Sequence, residues 1–131
     1  MAASSAALHE SADKLTPEMI DRHRAIVSLM EELEAIDWYD QRVAASADAE
    51  LRAVLAHNRD EEKEHAAMML EWLRRHDAKL DQHLRTYLFK EGSVLAIEAG
   101  QAAGDAEGAE NGAAADGSLG IGSLRAAGET P

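Results

Sequence analysis

Cysteine is absent from this 131-residue chain. That excludes disulfide scaffolds, thiolate zinc sites, iron–sulfur clusters and thiol nucleophiles, so any metal must be held by oxygen and imidazole. Positive charge is scarce as well: 13 Lys and Arg stand against 25 Asp and Glu, a formal net charge of −12. The pI is near 4.8. This balance argues against nucleic acid or an anionic membrane surface as partner and suits a protein that handles cations, although acidity serves solubility alone in many proteins. Long apolar runs are missing too. Residues 1–15 show neither the basic stretch nor the continuous hydrophobic segment of a secretory signal, and no window is apolar for the length a bilayer requires. A reduced cytoplasmic compartment is the expectation.

What the chain does contain is a dense block of helix formers. Residues 1–15 read as a flexible leader, 16–91 as a helical domain, and 92–116 as a disordered tether of Gly, Ala and acidic residues. Thr16-Pro17-Glu18 offers a capping hydroxyl, a proline at the first helical position and an early acid that complements the helix dipole. The first helix should run to about Ala45. Either Ser46 or Asp48 then caps a second helix reaching about Arg75, and Asp77 caps a shorter third one carrying Leu80, Leu84, Tyr87 and Leu88. So short a link predicts an antiparallel hairpin. Two helices cannot enclose a core. The expected fold is therefore all-α, a two-helix hairpin plus a short C-terminal helix, which dimerises with two-fold symmetry into a four-helix bundle.

On the second helix Leu51, Leu55, Asn58, Glu62, His65, Met69, Trp72 and His76 share one face. On the first, Ala25, Leu29, Glu32, Ile36, Tyr39 and Val43 do the same. Acids thus stand in both apolar stripes, where an uncompensated carboxylate is costly, and neither stripe supplies a Lys or Arg to match. A metal ion answers the imbalance. Di-iron carboxylate bundles use a Glu from each of two helices and a Glu-x-x-His from each of two others. This chain supplies Glu32 and Glu62-Lys63-Glu64-His65, half of such a set, and a symmetric dimer would complete it. Glu31 and Glu34, one turn apart beside this stripe, form either a solvated acidic edge or an outer cation-gathering site. Tyr39 could orient a ligand or be plain core. His57, His76 and His83 are not expected to be ligands, and Met30, Met68 and Met69 are expected to fill the bundle interior.

The runs His23-Arg24-Ala25-Ile26-Val27, Met30-Glu31-Glu32-Leu33-Glu34, Asp37-Trp38-Tyr39-Asp40-Gln41-Arg42 and Ala56-His57-Asn58-Arg59-Asp60-Glu61-Glu62-Lys63-Glu64-His65-Ala66 resemble the encapsulated ferritins, two-helix ferritin-like proteins of bacterial encapsulin compartments. The resemblance spans roughly residues 22–92. It implies a ferroxidase with a di-iron centre at a subunit interface, ligated by Glu32, Glu62 and His65 of both copies. Trp38 and Tyr39 would lie near it, and Glu31 with Glu34 would form the outer iron site. It also implies a ring of dimers, a decamer.

Near the other end, Gly117-Ser118-Leu119-Gly120-Ile121-Gly122-Ser123-Leu124-Arg125 resembles the peptide that loads cargo onto the inner wall of an encapsulin shell. The segment 117–131 would therefore carry a targeting peptide and a tail. Leu119, Ile121 and Leu124 are isolated apolar anchors in a glycine-flexible strand, suited to extended docking. The implied partner is an encapsulin shell protein, and the implied location is its lumen within the bacterial cytoplasm. Two other functions compete: a di-metal oxygenase or peroxidase on the same bundle, and a non-catalytic metal-binding or structural cargo subunit.

Overall fold

Thr16 and Asp48 start the two long helices. In the computed structural model, which describes residues 6–110, Thr16 Oγ1 accepts the Met19 N–H at 3.2 Å and Pro17 opens helix α1, Pro17–Ala45. Asp48 Oδ2 accepts the Leu51 N–H at 2.7 Å at the head of helix α2, Ala49–Arg75. Each cap satisfies one of the amide donors that a helix start leaves unpaired. Ser46, the other candidate cap, instead ends α1 by donating its N–H to the Arg42 carbonyl at 3.0 Å. Ser46, Ala47 and Asp48 alone link the helices, which pack against each other as a hairpin.

The chain divides into two compact units, Met1–Ala78 and Lys79–Pro131. In the first, the expected leader contains a short 3-10 turn, Ala12–Lys14, whose ends are tied by the Lys14 and Leu15 amides. Among the described residues only Ala25, Ala66 and Leu73 are buried. The two alanines let the helix backbones approach closely, which leaves little room for a larger core. Met30 and Met68, expected in an interior, are exposed in this chain taken by itself. At the far end of α2, Arg74 and Arg75 both donate to the Glu71 carboxylate at 2.6–2.7 Å and hold its pKa down at about 2. His76 stacks on Trp72 with ring centroids 3.8 Å apart and closes the helix by hydrogen bonding the Trp72 carbonyl.

In the second unit, helix α3, Ala78–Tyr87, half-buries Leu80, Leu84 and Tyr87. The chain then turns through Phe89 at φ 59° and Gly92 at φ 90°. Glycine adopts that conformation freely, whereas a bulky residue such as Phe89 does so at a cost. Helix α4, Val94–Glu110, follows, with the Ser93 hydroxyl accepting the Ala96 N–H at 3.4 Å. Here the structure departs from the expected disordered tether. Ala, the best helix former, recurs often enough to carry the segment, although each internal glycine costs roughly 1 kcal/mol against it. The rest of the tether, 111–116, and the proposed targeting residues Ser118 to Arg125 lie outside the described residues. No described helix is long and apolar enough to cross a membrane.

Candidate metal centre

Antiparallel packing brings the middle of α1 opposite the middle of α2, and Glu32 therefore meets Glu62 and His65. Glu62 and His65 are three residues apart, so they project from one face of α2. One oxygen from each carboxylate and one imidazole nitrogen lie within 4.8 Å of one another. His65 Nδ1 is 3.1 Å from Glu62 Oε2 and 3.8 Å from Glu32 Oε2. The two carboxylates are about a quarter exposed, and His65 about half. In the chain by itself the group is open on one side.

The three groups perturb one another's ionisation. Glu32 holds its proton above the usual carboxylate range, first because it hydrogen bonds Glu62, then through partial burial and the negative charge of Glu62. The same hydrogen bond, with a second from His65, keeps Glu62 ionised below that range. His65 is pushed up, foremost by its hydrogen bond to Glu62. Glu32 and His65 are thus both biased toward their protonated forms, and Glu62 toward its ionised form. Two carboxylates and an imidazole are a hard-to-borderline donor set suited to a first-row divalent metal. Small side-chain rotations would bring these atoms to bonding distances of about 2 Å around a shared ion.

A pH dependence follows. Cation binding must displace the protons that Glu32 and His65 retain to unusually high pH, so affinity should rise with pH through and beyond the ordinary imidazole range and fall on acidification. Each proton displaced is worth about tenfold in affinity per pH unit. Anaerobic Co2+ titrations at stepped pH would show this, and an affinity flat across that range would refute it.

The other expected site residues lie nearby along α1. Glu31 and Glu34 are exposed, and the charge of Glu31 adds slightly to the raised pKa of Glu32. Trp38 is exposed. Tyr39 is half-buried, and the Arg42 guanidinium stands 5.4 Å from its ring centroid. Two residues absent from the sequence reading of the site are Arg59 and Asp40, paired across the hairpin at 3.0 Å. Their signal was opposite charge at facing positions. One to two turns along each helix from the centre, Ala25, Ser28, Met68, Met69 and Trp72 line an open groove of ≈ 520 Å³, with Asp21 and Arg24 also in its lining.

A helical hairpin that offers one Glu from the first helix and a Glu-x-x-His from the second is the elementary unit of a ferritin-like protein. Comparison with known proteins narrows this class. The family model described as EncFtn-like matches residues 7–91. The Encapsulated ferritin-like protein of Rhodospirillum rubrum is 67% identical over 129 residues, which cover 95% of this chain and 92% of that one. A Ferritin-like protein of Thermotoga maritima is 52% identical over 90 residues, covering 69% of this chain and 79% of its own length. The crystal structure of a Nitrosomonas europaea protein superposes with a TM-score of 0.65 at 57% identity, covering 66% of this chain and 96% of that one. The chain belongs to the EncFtn-like family of encapsulated ferritin-like proteins.

Proposed function

We propose that this protein oxidises Fe2+ to Fe3+ with dioxygen at a di-iron site assembled from two copies of the chain, and that it does so as cargo of an encapsulin shell. The observation that carries the reading is the cluster of Glu32, Glu62 and His65, whose ligand atoms lie within 4.8 Å of one another and which offers half the ligands of a di-iron carboxylate centre. A two-fold mate supplies the other half. The apolar groove running on from the cluster gives that mate a surface to cover.

Iron is the substrate here. Glu32 and Glu62 would receive Fe2+ as Glu32 loses its proton, and His65 would contribute a neutral nitrogen once deprotonated. Each Fe2+ gives up one electron to dioxygen, and hard anionic oxygen ligands favour the ferric product. No protein nucleophile takes part. Glu31 and Glu34 would gather Fe2+ at the outer surface of α1, with Trp38 and Tyr39 flanking the route. A two-helix hairpin encloses no storage volume, so ferric iron must be stored elsewhere. Storage in an encapsulin lumen, where a decameric ring of dimers would be docked, is the reading supported by the name of the Rhodospirillum rubrum relative and by the expected targeting residues Ser118–Arg125.

The test is to add Fe2+ aerobically to the full chain with no organic substrate. Oxygen consumption with accumulation of ferric product is expected. Iron that binds but stays ferrous would reduce the protein to a metal-binding cargo subunit, and turnover only with an added organic substrate would make it an oxygenase or peroxidase.

A further inference from the structure

We propose that Arg59, held by Asp40, is a positioning residue for the metal centre: it sets the axial register of α1 against α2 and with it the separation of Glu32 from Glu62 and His65. This rests on the reading that those three residues bind iron. Arg59 Nη1 donates to Asp40 Oδ1 across the hairpin at 3.0 Å, while Nε donates to Asp60 Oδ1 on its own helix at 3.1 Å. The guanidinium therefore grips both helices at once. Its side chain is 23% exposed against 55% for Asp40, which shows that its stem lies along the seam between the helices.

The place of the pair gives it leverage. The buried side chains Ala25, Ala66 and Leu73 begin at the level of the centre and extend toward the open end of the hairpin. Between the centre and the link at Ser46–Asp48 the described side chains are at most half-buried. Close packing resists sliding most at the open end, and toward the link, where Ile36, Tyr39, Val43 and Leu55 are only half-buried, the Arg59–Asp40 contact adds to the hold of the three-residue connection. The tolerance is small, because a slip of one residue moves a helix by about 1.5 Å, a large part of the 3.8 Å that separates Glu32 on α1 from His65 on α2.

The pair also stands clear of the ligands. At about 100° per residue, Arg59 is turned about 120° from His65 around α2, and Asp40 about 80° from Glu32 around α1. It thus occupies the opposite edge of the seam and acts on the centre through helix position. Arginine suits this place because its planar fork binds two carboxylates in fixed directions, whereas a lysine ammonium holds one contact loosely.

The experiment uses the full-length chain with Arg59→Gln, Asp40→Asn, the double variant and Arg59→Lys, and Co2+ as an anaerobic probe. Its readouts are Co2+ affinity, the visible spectrum of the bound ion and the melting temperature without metal. An ion pair this exposed contributes little to stability, so metal-free melting should change little. Co2+ affinity should fall about threefold to tenfold in each single variant, with an altered spectrum. The double variant should be no worse than either single one, because both remove the same contact, and Arg59→Lys should recover part of the loss. Wild-type affinity and spectrum in both single variants would overturn the proposal, as would losses that simply add. If the unaltered chain binds Co2+ but leaves Fe2+ unoxidised, the ferroxidase reading fails while the register proposal is still judged on Co2+. An unaltered chain that binds no Co2+ would overturn both.

Discussion

Glu62→Ala and His65→Ala should each slow aerobic Fe2+ oxidation by on the order of a hundredfold or more. The size of the effect comes from symmetry: in a site shared by two copies, one substitution removes a ligand from each side. Loss of a residue that merely orients a ligand already costs about 10- to 100-fold in a metal site. Glu62→Ala should nonetheless melt close to the parent chain in the absence of metal, because the contacts it loses to Glu32 and His65 are partly exposed and such pairs contribute little to stability. Oxygen consumption and ferric absorbance measure the first effect, and circular dichroism melting the second. Unchanged oxidation in either variant would remove the catalytic assignment. A collapse of metal-free folding would mean that the cluster is structural.

Ending the chain after residue 116 should abolish capture by the shell and leave iron oxidation per chain intact. Each of Leu119, Ile121 and Leu124 contributes roughly 1.5–3 kcal/mol when its side chain enters an apolar pocket. Losing all three anchors therefore removes several powers of ten in affinity. Co-expression with a shell protein, followed by mass analysis of purified particles, reads the number of cargo chains retained. Full loading of the shortened chain would show that the address lies elsewhere. A triple alanine variant that loads normally would rule out these particular anchors.

The hairpin was legible in the sequence because its determinants are local. A threonine before a proline and an aspartate three residues before a leucine amide are capping signals whose partners lie within one turn, and both helices begin where those signals stand. The meeting of Glu32 with Glu62 and His65 was legible for a related reason, since a three-residue link and fixed helical geometry leave few ways to oppose two stripes. What stayed hidden depends on register or on competition between weak preferences. Arg59 and Asp40 lie 19 residues apart, and their pairing follows from the relative height of the helices, which no local pattern reports. Residues 94–110 contain both the best helix former and a strong helix breaker, and composition alone did not reveal that alanine prevails. Phe89 at positive φ has no sequence signature, because glycine or asparagine is the usual occupant.

The thin core has one more consequence. With three buried side chains among the described residues, a solitary hairpin gains little from folding, and the proposed second copy would supply most of its cohesion. With two chains paired as proposed, foldedness and association would be a single equilibrium, and the heat resistance of this protein should climb as the solution is made more concentrated. Dilution would act on it as a mild denaturant, and the crowded interior of a filled compartment would protect it by mass action.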